Sequence, residues 1–267
     1  MVSELPLKYP IDLVDNVPGQ AYSCQDSDRR HVLTGSPFLG QVAFTMFSGC
    51  FRRVQIKNKR AKGTFMLTAK EAIERRRSIR KFKPDPVPEQ QVRALLDAAR
   101  LAPSGCNAQP WRFKVVKDGE TKAKLAQADF NQAFVAEAPV VMVCCADIKG
   151  YLEGTVSGIQ DLGTIGAVET RIADTILERA NKLKDMNADQ LGERVAFNVA
   201  IAIEHIVLRA LDFGLGSCWV RLVDRQMIRD IFGWNDNLYV TALLPIGYPA
   251  ESPVPRKRLR LEDIIIG

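Results

Sequence analysis

The chain has 267 residues, 46% of them hydrophobic and 25% charged, with a formal net charge of +6. This length and balance fit one large globular domain or two small ones with a sizeable core. They argue against a zinc or disulfide scaffold and against a spanning helix: six cysteines contain no CxxC pair, only His31 and His205 supply imidazole, and no apolar run reaches about 20 residues.

Residues 1–65 carry 9 Lys/Arg against 5 Asp/Glu, whereas residues 66–267 carry 28 against 26. The basic excess therefore sits mostly in the first stretch, and the body is nearly balanced. No basic stripe is interleaved with stacking aromatics, so no nucleic acid is expected as a partner. Residues 1–65 scatter Pro and Gly with no sustained period and read as an N-terminal extension of uncertain order. The apolar stretch 42–51 lies too far in, and is too short, for a signal peptide. Met66 stands directly before a well-formed element and is a candidate start of the folded part. A cytoplasmic location without membrane attachment is expected, in which buried thiols stay reduced.

From residue 66 the elements follow in order. Thr68 and Glu71 form a capping box that opens a helix over 68–77. Residues 83–88 are a proline-stiffened linker, and Pro88 suits the first turn of a second helix over 89–102, with Val92, Leu95, Leu96 and Ala99 on one face. Residues 112–117 alternate as a strand, 119–128 read as a helix, and the apolar run 140–146, with Cys144 and Cys145, reads as a buried strand. Residues 147–190 begin glycine-rich and become helical and charged, an insertion suited to shaping a pocket. A long apolar helix over 194–213 ends at Gly214 in the manner of a C′ glycine. Strands are expected over 217–222 and 239–247, with a short helix over 224–232 between them. The mixture points to an α+β or α/β domain.

Four groups of residues carry chemistry. Arg76, Arg77, Ser78 and Arg80 gather guanidinium forks around one hydroxyl where a helix ends, an arrangement suited to a phosphate; complementing the helix dipole is an equally available role. The loop 103–111 ends in Trp111 and offers Asn107 and Gln109, whose amides match the edge of a flat heterocycle, while Trp111 itself reads as core. Residues 214–219, Gly-Leu-Gly-Ser-Cys-Trp, lack the third glycine and the strand-to-helix order of a dinucleotide loop. A second basic run, Arg256, Lys257, Arg258 and Arg260, precedes the C-terminus and taken alone reads as a solvated tail. No phosphate-binding P-loop, nucleophile elbow or carboxylate pair is present, and His205 reads as a packed helix residue.

Taken in order, Arg-Arg-Ser-Ile-Arg, then Pro-Ser-x-x-Asn-x-Gln-Pro-Trp, then Gly-Leu-Gly-Ser-Cys-Trp, then Pro-Arg-Lys-Arg with Leu-Glu-Asp-Ile resembles the FMN-dependent nitroreductase family over about residues 66–267. The resemblance implies a central, mostly antiparallel sheet flanked by helices in an interlocked homodimer. It also implies FMN as bound cofactor, NADH or NADPH as hydride donor, and a small-molecule electron acceptor such as a nitroaromatic or a quinone, used in ping-pong order. In that pattern Arg76, Arg77, Ser78 and Arg80 contact the phosphate and ribityl chain, and Arg256 and Arg258 clamp the phosphate. Pro103, Ser104 and Asn107 reach the flavin from the other subunit. Gly216 and the backbone of Trp219, Val220 and Arg221 wall the reactive nitrogen, with N–H groups near Val220 and Arg221 stabilising charge on the reduced ring. No side chain is required as a catalyst. Gly105 stands where many members place a second serine, removing one hydroxyl contact. Reductive dehalogenation, flavin fragmentation and non-catalytic flavin binding are the alternative outcomes.

Overall fold

The computed structural model describes residues 66–267 and two short strands nearer the N-terminus, and the chain divides into two compact units, Met1–Lys62 and Gly63–Gly267. In the first unit, β1 (Thr45–Phe47) and β2 (Cys50–Arg52) pair antiparallel within the stretch expected to lack a regular period. The expected irregularity of the rest of 1–65 lies outside the described residues.

The second unit opens with α1 (Ala69–Arg75), capped as expected: Glu71 N donates to Thr68 Oγ1 at 3.2 Å, and Thr68 N donates to Glu71 Oε2 at 2.8 Å. Helix α2 (Glu89–Arg100) buries Val92, Leu95 and Ala99. Pro88 is its N-cap and lies just outside the first turn, where its missing N–H likewise costs no helical bond. Helices α3 (Gly119–Ala128), α4 (Ala133–Glu137) and α8 (Arg225–Phe232) are short. Helix α7 (Ala188–Ala210) is the longest of the described helices.

Four strands form one sheet in the order β3-β4-β6-β5: β3 (Trp111–Val116), β4 (Val140–Asp147), β5 (Gly216–Ser217) and β6 (Leu238–Gly247). Every pairing is antiparallel, so the fold is α+β. Strand β4 is buried almost throughout because successive side chains enter different layers. Met142, Cys144 and Ala146 join a core with α2 and α7. Val141, Val143 and Cys145 join a second core with α3, α4 and α8. The sheet is thus sandwiched between two helical layers.

Three expectations need correction. The glycine-rich start of 147–190 is a continuous helix, α5 (Ile148–Thr164), followed by α6 (Thr170–Leu183). Its glycines serve close packing: a Cβ on Gly154 would stand 2.6 Å from the Ala108 carbonyl oxygen, and one on Gly158 would stand 1.6 Å from that of Cys106. Helix α7 starts at Ala188, ahead of the expected Arg194, because Asn187 caps it by accepting from Gln190 N. The strand expected over 217–222 pairs regularly only at β5, with Val220 making an isolated bridge to Leu243.

Candidate functional site

The two basic runs meet because the chain folds back beside itself. Arg76 caps α1 with an extended backbone, and the chain then runs beside β5, with Ile79 N donating to Ser217 O at 3.0 Å. After β6 the chain passes this same segment: Lys83 N donates to Tyr248 O and Ala250 N to Lys81 O, both at 2.8 Å. The result is a cavity of about 720 Å³ lined by Arg76, Arg77, Ser78, Arg80, Arg256 and Arg258, with Glu251.

No ion pair among the described residues occupies any of these five guanidinium groups. Arg77 Nη1 instead donates to the carbonyls of Glu74 and Arg76, each at 2.8 Å. Glu251 accepts from the backbone, taking the N–H of Arg80 at 2.5 Å and of Lys81 at 3.1 Å. Five cations therefore face one carboxylate that is already engaged, and the cavity's chemistry calls for an anion. Beneath it Cys218 is a buried thiol: burial pushes its pKa up, although the charges of Arg80 and Arg76 pull the other way.

The middle motif divides. Gly216 packs against the first basic run, since a Cβ there would meet Ile79 Cγ1 at 2.5 Å. It also borders a cavity of about 210 Å³ shared with Arg77 and Glu251. Trp219 and Arg221 line a different cavity, of about 240 Å³, with Glu193, Phe197 and Thr241. Val220 is buried, and its N–H donates to Leu243 O at 3.0 Å. That bond corrects one expectation: the Val220 N–H is consumed by the sheet and is not free to stabilise charge on a ligand.

Sequence reading missed Thr241. The register of β4 on β6 passes from Cys144 opposite Ala242 to Cys145 opposite Val240, leaving Thr241 at a bulge. Its Oγ1 is buried in the wall of the Trp219 cavity without a partner among the described residues. Glu193 beside it accepts from Tyr239 Oη and from Arg221 Nη2, the latter at 3.0 Å. The tyrosine hydroxyl and the arginine hold its carboxyl below the usual range. Burial, with help from Glu193, pushes Tyr239 up to about 12.

Pro103, Ser104 and Asn107 lie elsewhere. Residues 105–107 form a tight turn in which Cys106 and Asn107 have φ of 51° and 52°. Ser104 Oγ accepts from Gln109 N, and Gly105 N donates to Asn198 Oδ1, both at 3.0 Å. Gly105 and Cys106 border a cavity of about 490 Å³ between α5, α6 and α7, separate from the arginine cavity. Among the described residues, the cavity beside this loop and the arginine cavity share no lining residue.

A mixed α+β fold with a four-stranded antiparallel sheet and an anion-seeking cleft defines a class of proteins, and comparison with known proteins identifies it. The nitroreductase family matches residues 73–248. The chain belongs to that family. It is similar to an NADH dehydrogenase of Thermus thermophilus, 38% identical over 202 residues, covering 75% of this chain and 96% of the relative. It is also similar to a 5,6-dimethylbenzimidazole synthase of Rhodospirillum rubrum, 29% identical over 181 residues, covering 67% of this chain and 82% of the relative. A protein of Exiguobacterium sibiricum, assigned as a nitroreductase and solved in complex with FMN, superposes with a TM-score of 0.61 at 26% identity, covering 77% of this chain and all of that one (100%). Relatives named for different reactions share the family, so membership alone does not transfer an acceptor.

Proposed function

We propose that the protein is an FMN-dependent oxidoreductase that uses NADH or NADPH to reduce a small-molecule acceptor, a nitroaromatic, quinone or related compound. The observation that carries this reading is the cavity of five guanidinium groups beside Ser78, none of them in an ion pair among the described residues. Its charge and donor set fit the phosphate of FMN, the cofactor in the Exiguobacterium relative. When bound, FMN supplies hydride acceptance from NAD(P)H and electron delivery to the acceptor, so donor and acceptor use one site in turn.

The chain's own residues bind and orient. Arg76, Arg77, Arg80, Arg256 and Arg258 neutralise the phosphate, and Ser78 adds a hydroxyl contact. Trp219 and Arg221 wall the ring, the Arg221 N–H taking the donor role that Val220 cannot. Pro103, Ser104 and Asn107 complete the site of a partner copy in a homodimer, which accounts for their separation from the arginines in one chain. The exposed apolar residues Phe197, Leu259, Leu261, Ile264 and Ile266 give such a dimer its contact surface. Residues 66–267 form the FMN-binding domain and 1–65 an extension to it. No described helix is long and apolar enough to cross a membrane, in keeping with a cytoplasmic enzyme.

The test is an absorption spectrum of the purified protein. A flavin spectrum that bleaches on addition of NADH or NADPH, and recovers on addition of a nitroaromatic or quinone, is expected. A colourless protein that takes up no added FMN would overturn the reading.

A further inference from the structure

The cavity between α5, α6 and α7 is about 490 Å³, within the roughly 300–1,000 Å³ range of small-ligand pockets. Its lining holds two guanidinium groups, Arg179 and Arg194, and no aspartate or glutamate. Neither arginine forms an ion pair among the described residues. Arg179 shares one face of α6 with Ile176 and Leu183, at the three- and four-residue spacings that bring helix side chains together. The arginine stem can lie along this apolar face, but its guanidinium meets no carboxylate among the described residues. Arg194 likewise shares its face of α7 with Phe197 and Asn198. The neighbouring Glu193, by contrast, is already engaged by Arg221 and Tyr239. Cys106 adds no charge, because burial raises its thiol pKa.

We propose that this cavity binds a planar conjugated carboxylate, with its apolar body against Ile176, Leu183 and Phe197 and its carboxylate held by Arg179 and Arg194. The planar fork of arginine suits a carboxylate and binds it in two-point fashion. The turn at 105–107 closes one wall. Because that turn belongs to the loop read above as meeting the flavin, the carboxylate is assigned as the electron acceptor. This last step rests on the FMN reading; the binding site itself does not.

Isothermal titration of the full chain, carrying whatever flavin it retains, with 4-nitrobenzoate and the uncharged 4-nitrobenzamide tests the proposal. The two probes share shape and differ in charge. About tenfold tighter binding of the carboxylate is expected, weakening with added salt. Both arginines are exposed, so R179Q/R194Q should fold, and the preference should vanish in it. The preference should persist in R76A/R80A, which alters the other cavity. Equal binding of the two probes by the unaltered protein overturns the proposal, as does a preference that R179Q/R194Q leaves intact or that R76A/R80A abolishes. A protein that prefers the carboxylate through Arg179 and Arg194 but shows no flavin spectrum keeps this site and loses the redox reading.

Discussion

At the scale of single residues, the arginine cluster and one buried carboxyl are the consequential features. Beside a Glu251 carboxylate engaged by backbone N–H groups, five guanidinium groups crowd one cavity with no ion-pair partner among the described residues. Their mutual repulsion is relieved when an anion binds. Charge-assisted hydrogen bonds contribute roughly 1.5–3 kcal/mol each, so R76A/R80A should weaken FMN binding on the order of 100-fold or more, read as flavin lost on dialysis. Asp129 is wholly buried, its Oδ1 accepts from Gln132 Nε2 at 2.6 Å, and its Oδ2 has no partner among the described residues. Burial raises its pKa to about 6 against the hydrogen bond from Gln132. In the unfolded chain the group titrates near 4. Between those values the folded state holds the proton more tightly, so stability falls as pH rises from about 4 to about 6 and stays lowered above that. Asp129→Asn should therefore raise the melting temperature at pH 7 to 8, by an amount corresponding to at most about 3 kcal/mol, and the gain should disappear near pH 4. No short-range pattern marks Asp129 in the sequence, since its burial comes from packing after the end of α3.

At the scale of elements, short-range grammar was legible and long-range contact was not. The Thr68–Glu71 capping box, the apolar face of α2, the alternation of β3 and the glycine stop after α7 all stand in the chain within a few residues of where they act. The glycine-rich start of 147–190 does not announce helix α5 in the sequence, since glycines such as Gly154 and Gly158 are poor helix formers. Their reason lies across space, in the carbonyls of Ala108 and Cys106. Gly158→Ala should push α5 away from the turn at 105–107 and cost about 1–3 kcal/mol, as overpacking does. Gly163→Ala, with nothing within 4 Å of the new methyl, should be neutral or stabilising by up to about 1 kcal/mol. Thermal melts of the two variants give the comparison, and equal losses would count against the packing account. The short β5 has a similar cause: residues 218–222 keep only scattered bonds to β6, among them Cys218 N to Pro245 O and Val220 N to Leu243 O.

At the scale of the whole molecule, the described domain leaves apolar surface uncovered. Leu259 is 72% exposed and Ile266 is 98% exposed, on a C-terminal segment with no buried residues beyond position 250. A second copy is the partner the proposed function requires. Deleting residues 259–267 should shift sedimentation from dimer to monomer and lower flavin retention while far-ultraviolet circular dichroism is kept. A truncated chain that stays dimeric would remove this segment from the interface. The proposed division of the chain gives a further prediction: a protein beginning at Met66 should fold and hold FMN as the full chain does, because α1 is capped from Thr68 and Leu67 N donates to Asp212 Oδ1 at 2.7 Å. Failure to fold would place part of residues 1–65 within the domain.

The sequence by itself determined the family, most of the element types outside residues 147–164 and 218–222, and the residues rich in anion-binding chemistry, because those depend on local spacing and on side-chain identity. Only the tertiary structure decided which of them act together. It joined Arg76–Arg80 to Arg256 and Arg258, through pairing of the chain after β6 with the chain after α1, and kept both apart from the loop of Pro103, Ser104 and Asn107. It spent the Val220 N–H on the sheet, left Thr241 at a bulge, and brought Arg179 and Arg194 to the lining of one cavity. Contacts between residues distant in sequence depend on how sheet register and helix packing close the chain, and no local pattern carries that information.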